Sequence, residues 1–290
     1  MTALGAVFRP QLPPERLRAV VEAAEQAGLE QLWLWEDSFF ESGMATASAA
    51  LAWTGRLRVG IGLMPVPLRN VALTAMEIAT LERMFPGRFL AGVGHGVQDW
   101  MGQAGVRAES PMTLLREYVT ALRALLRGER VTTEGRYVRL TDVALDWPPV
   151  TAPPVYVGAV KPRTLRLAGE VADGTILDGS NTPDTVRAAC RVIDEGRSAA
   201  GRDDRHEVIT NLTTATGPDA DARLRAELAF WGHEPAPDLG VAGDEHAVAG
   251  VVRRLAEAGA GTVVLTPTAD EPDPEGFVRF AAEKVRPLVY

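Results

Sequence analysis

The stretch LRVGIGLMPVPLRNVALTAMEIATLERMFPGRFLAGVGHG, Leu57–Gly96, shows how the chain is built. A short apolar run at Leu57–Gly62 predicts a strand, and apolar residues at helical spacing predict a helix near Ala72–Phe85. A second apolar run at Arg88–Gly94 predicts another strand. Apart from Arg58 and Arg88 near their starts, both runs are apolar, as in strands that are buried on both faces. Both also contain glycine, which strands ordinarily avoid, so bare backbone is expected where they end.

The same alternation of strand and helix extends in both directions from this stretch. Apolar runs predict eight strands, at Leu4–Phe8, Gln31–Trp35, Leu57–Gly62, Arg88–Gly94, Val155–Val160, Gly174–Gly179, Glu207–Thr214 and Gly261–Pro267. Helical patterns follow the strands, and eight such units predict an α/β fold, a (β/α)8 TIM barrel with short insertions. A doubly wound sheet is the alternative, but it needs a topological break that the pattern does not contain.

The alternation is interrupted once, around residues 128–153. Val131–Leu140, with Gly135 at its centre, predicts a small hairpin, and Asp146–Pro154 is a proline-rich connector. Strand and helix patterns resume directly after the connector. We therefore expect one barrel domain over residues 1–290 with an insertion at this point.

Composition narrows the classes of partner. The chain has 290 residues and a net charge of −8 with no basic run, so no nucleic-acid partner is expected. No apolar run reaches the roughly 20 residues of a membrane span, and the start has no signal-peptide pattern. Cys190 is the single cysteine, so no internal disulfide forms, which fits a cytoplasmic location. A small-molecule substrate is the expected partner.

Several common kinds of catalytic site are missing. The four histidines are scattered, no HExxH or CxxC motif occurs, and no metal site is expected. Neither a GxSxG elbow nor a GxxxxGK[ST] loop is found. What remains at the strand ends is glycine, the acidic pair Glu36–Asp37 and aromatic surface. Bare backbone allows close approach to a flat ring or a phosphate, so a bound cofactor is expected to supply the reactivity.

With these strand ends, the chain resembles the bacterial-luciferase-like superfamily of flavin- and deazaflavin-dependent oxidoreductases. The resemblance rests mainly on Val59–Gly96, with support from Val155–Leu177 and Val241–Pro267. It implies a barrel whose cofactor ring lies at the carboxyl ends of the strands, and a homodimer formed by helix packing. It also implies a non-prolyl cis peptide after the third strand, which by position joins Gly62 and Leu63.

The resemblance also assigns the cofactor contacts. The fourth-strand glycine loop is expected along the cofactor side chain, and the turn after the fifth strand near its phosphate. The start of the following helix offers N–H groups to an anion, although basic residues at such a start are otherwise simply solvated. The expected cofactor-binding residues are Gly62, Leu63, Met64, Gly94, His95, Gly96, Gly158, Ala159, Val160, Lys161 and Thr164.

The second strand departs from the family pattern. Many members have an acid followed by histidine there, whereas this chain has Glu36 and Asp37. We expect these two residues to be the catalytic pair, with Asp37 handling the proton. Burial beside Trp35 and Phe39 would raise the pKa of Asp37, as an acid catalyst needs. One alternative is that substrate and water handle the proton, and another is a carboxylate that binds the cofactor or backbone N–H groups.

The pattern favours coenzyme F420, a deazaflavin, over FMN. The predicted function is hydride transfer between F420 and a small organic substrate. The alternatives are an FMN-dependent monooxygenase and a non-catalytic flavin-binding protein. Expected substrate contacts are Phe8, Phe39, Arg69 and Trp100, and Arg69 binds an anion or pairs with a surface acid. Loops at Trp100–Ser110 and Gly232–Gly243 are predicted to cover the site.

Overall fold

Eight parallel strands close into a barrel in a computed structural model that describes residues 2–233 and 236–289. The strands in chain order are β1 (Ala3–Phe8), β2 (Gln31–Leu34), β3 (Arg58–Pro65), β4 (Phe89–Gly94), β5 (Val131–Glu134), β6 (Arg139–Val143), β7 (Val155–Gly158), β8 (Gly174–Leu177), β9 (Glu207–Ala215), β10 (Val241–Ala242) and β11 (Thr262–Pro267). The barrel order is β1-β2-β3-β4-β7-β8-β9-β11, and β11 pairs with β1 to close the ring. The predicted (β/α)8 barrel is confirmed, and the doubly wound alternative is wrong.

Helices surround the barrel and connect its strands. They are α1 (Leu17–Ala27), α2 (Gly43–Trp53), α3 (Val71–Met84), α4 (Gln98–Gln103), α5 (Pro111–Leu126), α6 (Pro162–Val171), α7 (Pro183–Ala199), α8 (Ala220–Phe230), α9 (Glu245–Glu257), α10 (Pro274–Arg279) and α11 (Arg286–Val289). Local chemistry sets several of their ends. Thr182 forms a capping box with Thr185 at the start of α7, and Gly28 ends α1 with φ of 74°.

The hairpin β5–β6 is antiparallel and separate from the barrel sheet, within the stretch predicted as an insertion. The Glu117 carboxylate on α5 accepts hydrogen bonds from the backbone N–H groups of Arg136, Tyr137 and Val138. These bonds hold the hairpin turn against α5.

The two segments predicted as loops that cover the site both contain regular secondary structure. Trp100–Ser110 begins inside α4, so the prediction of a plain loop there is wrong. Within Gly232–Gly243, Glu234 and Pro235 lie outside the described residues. Its last part contains β10, which pairs with β9.

The barrel interior is filled below the carboxyl ends of the strands. Trp33 and Tyr156 meet edge to face there, with ring centroids 6.4 Å apart. A Cβ on Gly60 would lie 2.5 Å from the Trp33 ring, so glycine is required beside it. On β1, Val7 packs inward with this cluster while Phe8 packs outward against the helices. Because the interior is packed, open space remains at the mouth of the barrel.

Candidate active site

A cavity of about 440 Å³ lies at the carboxyl ends of the barrel strands. Its walls come from all eight barrel strands or the loops that follow them, together with α4, α6 and α8. Twelve of the predicted site residues line it: Glu36, Asp37, Gly62, Leu63, His95, Gly96, Trp100, Gly158, Ala159, Val160, Lys161 and Thr164. The structure therefore brings together residues from β2, β3, β4 and β7 that are far apart in sequence.

Five predicted contacts do not line the cavity: Gly94, Arg69, Phe8, Met64 and Phe39. Phe8 and Met64 are each 1% exposed and pack in the layer between strands and helices. Side chains alternate along a strand, so Arg9, one residue after Phe8, faces the cavity instead. Phe39 is 67% exposed, outside the cavity lining. The predicted binding roles of Phe8, Met64 and Phe39 are therefore corrected.

The end of β3 forms a cradle of bare backbone. The Gly62–Leu63 peptide is cis, as predicted, and the pairing register between β3 and β4 shifts there. A Cβ on Gly158 would lie 2.1 Å from the Leu63 side chain, and one on Gly94 would lie 2.6 Å from it. Gly94 itself is buried under Leu63 and outside the cavity lining, so its predicted contact with the cofactor is corrected. A second non-prolyl cis peptide, Ser38–Phe39, had no signal in the sequence.

Glu36 is fully engaged by its neighbours. Its Oε2 accepts hydrogen bonds from the Gly43 backbone N–H at 2.8 Å and from Arg69 Nη2 at 2.9 Å, and Arg69 Nη1 bonds Oε1. Arg69 also pairs with Glu77 on α3 at 3.4 Å, and its side chain lies outside the cavity. Of the two alternatives for Arg69, pairing with an acid is the one observed. With both oxygens paired, Glu36 anchors the end of β2 to α2, which corrects the prediction that it shares the proton chemistry.

Asp37 is held differently. It lines the cavity, and no hydrogen bond to its side chain is found within the described part of the chain. Burial raises the pKa of its carboxyl, and the positive charge of Arg9 opposes this only partly. The alternative of a carboxylate bound by backbone N–H groups is therefore not observed. Asp37 is a carboxyl that keeps its proton to a higher pH than an ordinary aspartate.

Arg9 and Glu227 form a buried ion pair in the same cavity. Arg9 Nη1 donates to Glu227 Oε1 at 2.7 Å and to the Pro267 carbonyl at 3.0 Å. Their side chains are 3% and 7% exposed, and the Arg9 guanidinium lies 5.3 Å from the centre of the Trp35 ring. Glu227 is a site residue that sequence reasoning missed. It lies within helix α8, where nothing in the local pattern distinguishes it from a surface acid.

His95 and the start of α6 form the opposite wall. His95 Nε2 lies 3.4 Å from Thr164 Oγ1, and its Nδ1 is buried without a hydrogen-bond partner within residues 2–233 and 236–289. Burial lowers the pKa of His95, and the backbone of Pro111 near its ring opposes this only partly, so the ring is neutral at neutral pH. Helix α6 begins at Pro162 with no side-chain cap, and the exposed Lys161 directly precedes it. This wall suits an anionic group.

Together, the bare cradle, the unpartnered Nδ1 and the uncapped helix start fit a flat ring that carries a phosphate side chain. The fold and the site define a class of barrel enzymes that use such a cofactor. The chain belongs to the luciferase-like monooxygenase family, whose model matches residues 3–270. The predicted resemblance is confirmed. No group of three side chains able to hold a metal ion is found in the described ranges.

Two curated relatives and one solved structure illustrate the similarity. The chain is 30% identical to a 5,10-methylenetetrahydromethanopterin reductase of Methanolobus tindarius over 75% of this chain and 66% of the relative. It is 31% identical to an F420-dependent glucose-6-phosphate dehydrogenase of Microbacterium testaceum over 76% of this chain and 70% of the relative. The chain thus spans about two thirds of the length of these relatives.

The fold also matches a coenzyme F420-dependent tetrahydromethanopterin reductase from Methanopyrus kandleri. That solved structure has a TM-score of 0.84 and 23% identity, covering 100% of this chain and 99% of that one. At this identity the match shows the fold alone.

Proposed function

We propose that this protein is an oxidoreductase that transfers a hydride between coenzyme F420 and a small organic substrate. The observation that carries the proposal is the cradle in which Leu63 lies over bare backbone, in the same cavity as the uncapped start of α6. The reductase and F420-dependent dehydrogenase names of the two curated relatives support the same chemistry.

Two groups of residues hold the cofactor in this proposal. Leu63 supports the ring from behind, and Gly158 leaves room beside it because a side chain there would collide with Leu63. The backbone from Ala159 to Lys161 and the Thr164 hydroxyl bind the phosphate side chain, while His95 Nδ1 supplies a neutral polar contact. The helix start adds the positive end of its dipole.

The chain itself supplies the proton chemistry. When bound, F420 supplies or accepts a hydride at its ring. Asp37 gives a proton to the substrate atom or takes one from it, because its carboxyl faces the cavity and its pKa is raised. Glu36, paired with Arg69, holds the chain beside Asp37 in place, and the walls formed by Trp35 and Trp231 exclude water.

Titration of the purified protein with F420 and with FMN tests the cofactor. We expect F420 to bind, and Gly158→Val to weaken that binding by about a hundredfold because Leu63 is pushed into the ring site. Gly55→Val is the control, since its Cβ would lie no closer than 3.7 Å to a neighbour. Tight FMN binding without F420 binding would favour the monooxygenase alternative, and binding of F420 without turnover would favour the non-catalytic one.

We also propose a homodimer that packs through α2 and α3. Helix α2, GMATASAALAW, has no charged residue, yet Trp53 at its end is 40% exposed. On α3 the exposed Leu73, Met76 and Met84 form one stripe at helical spacing. Apolar stripes of this kind are typical of protein interfaces.

Light scattering after gel filtration tests the dimer. Met76→Glu is expected to give monomers, while Phe230→Glu, at an exposed position on α8, leaves the mass of a dimer. A monomeric wild type, or the reverse pattern in the two variants, would rule out this interface.

No helix in the described residues is long and apolar enough to cross a membrane. A cytoplasmic location stays a prediction, supported by the single cysteine.

A further inference from the structure

The charges of the cavity are separated across the barrel. Lys161 follows β7, and Arg9 follows β1. In the closed order β1-β2-β3-β4-β7-β8-β9-β11, these two strands are four places apart and therefore face each other across the ring. Asp37 follows β2, the neighbour of β1. The anion-binding wall and the Asp37 wall are consequently on opposite sides of the mouth.

On the Asp37 side, the only arginine that faces the cavity within the described ranges is already neutralised. Arg9 uses Nη1 for Glu227 and Pro267, and Nε for Gln11 Oε1 at 3.1 Å. Glu227 in turn accepts from Trp231 Nε1 at 2.8 Å and from the Ala269 backbone N–H at 2.9 Å. The Arg9–Glu227 pair therefore carries no net charge. Arg9 Nη2 has no hydrogen-bond partner within the described residues, so it can donate to a ligand in the cavity.

The other ionisable groups do not add a positive charge there. Glu36 is balanced by Arg69, and the Asp178 carboxylate accepts bonds from Ser180 and Asn181. His233 also lines the cavity. An anion placed beside Asp37 therefore meets no unpaired cation within the described residues that would offset the cost of burying its charge.

We infer that the substrate is an uncharged carbonyl compound with an apolar body, or the alcohol formed from it, and that Glu227 sets this preference by neutralising Arg9. The inference rests on the proposed function and adds the substrate class to it. The apolar body lies between Trp35 and Trp231, and the reacting oxygen lies between Arg9 Nη2 and Asp37. Phosphorylated or carboxylated substrates are excluded from this wall.

The chemistry balances with these groups. In the reducing direction the carbonyl carbon gains a hydride, and the π electrons of the C=O bond form an O–H bond with the proton of Asp37. The reduced deazaflavin is oxidised by two electrons, and Asp37 regains its proton from water. The oxidising direction reverses each transfer, with F420 as the oxidant.

A matched pair of probes tests the inference. The probes are 4-oxocyclohexanecarboxylate and its uncharged methyl ester, measured on F420-loaded protein by calorimetry and by turnover with reduced F420. The assay is run at about pH 8, where His95 is neutral because burial lowers its pKa. Wild type is expected to prefer the ester by about tenfold or more.

Three variants identify the cause of the preference. Glu227→Gln keeps the shape but leaves Arg9 charged, so the ratio of ester to acid affinity is expected to shift about tenfold towards the acid. Glu195→Gln makes the same change of formal charge in an exposed ion pair with Arg166 and leaves the ratio unaltered. The double variant Arg9→Met with Glu227→Leu removes both charges and retains the preference for the ester, even if Glu227→Gln folds poorly.

Equal affinity of wild type for both probes, or an unchanged ratio in Glu227→Gln, would overturn the inference, as would failure of both probes to bind the F420-loaded protein. Failure of wild type to bind F420 is a different result, which refutes the proposed function. In that case the same probes, measured by calorimetry on the FMN-loaded protein, still decide the charge preference.

Discussion

Two walls of one cavity hold their carboxylates in opposite ways. Burial raises the pKa of Asp37 on the β2 wall, where Arg9 is too weakly coupled to reverse the effect. Burial by itself would also raise the pKa of Glu227 on the α8 wall, but hydrogen bonds from Ala269 and Trp231 and the charge of Arg9 lower it overall. Both residues are acids at the same mouth. The number of donors that reach each carboxylate decides whether burial raises its pKa, as at Asp37, or is outweighed, as at Glu227.

The largest expected effect comes from removing the charge on the α8 wall. Glu227→Ala leaves Arg9 buried without its partner, which typically costs about 3–5 kcal/mol of folding free energy. Urea unfolding measures this loss. Glu195→Ala removes an exposed partner of Arg166 and is expected to cost less than about 1 kcal/mol. Similar losses in both variants would mean that the Arg9–Glu227 pair contributes no more than a surface bridge.

The next effect concerns catalysis on the β2 wall. Asp37→Asn cannot exchange a proton, so turnover is expected to fall by about a hundredfold while the Kd for F420 changes by no more than about threefold. Asp178→Asn is the matched control, because that aspartate also lines the cavity but already bonds Ser180 and Asn181. Equal losses of turnover and cofactor affinity in Asp37→Asn would make Asp37 a binding group only.

The pH dependence of kcat/KM tests how the charges of the two walls act on each other. Carbonyl reduction needs protonated Asp37, so kcat/KM is expected to fall as pH rises through the pKa of this carboxyl, above the usual range of aspartate because burial raises it. In Glu227→Gln the charge of Arg9 is no longer offset, which lowers the pKa of Asp37 and moves the fall to lower pH. If wild type and Glu227→Gln had the same pH profile, the charge of Arg9 would have no effect on the pKa of Asp37.

The smallest expected effect is a change in thermal stability. The raised pKa of Asp37 means that the folded state binds its proton more tightly than the unfolded state does. Its contribution to stability is therefore present below the ordinary pKa of aspartate and lost as pH rises through the raised value. Asp37→Asn is expected to raise Tm by about 2 °C at neutral pH and above. A lower Tm would show that the carboxylate makes favourable contacts when ionised.

Much of the fold was accessible from the chain alone. Apolar runs at β1, β3 and β9 and the helical patterns between them report local burial, which repeats with the period of each element. The hairpin β5–β6 followed from its glycine and flanking residues in the same way. The cis bond between Gly62 and Leu63 required the family resemblance as well, since the similar second one at Ser38–Phe39 left no local mark.

The candidate site was also predictable from the sequence only in part. Spacing and glycine content place His95 and Gly158 at strand ends, because a strand end is a local property of the chain. The orientation of Phe8 against Arg9, and the pairing of Arg9 with Glu227 over 218 positions, exist only once the barrel closes and α8 packs over its mouth. The state of each carboxylate follows from such distant donors and from burial. The sequence by itself therefore determined which strand ends form the cavity. The tertiary structure decided which charged groups in the cavity are paired, because their partners are distant in the chain.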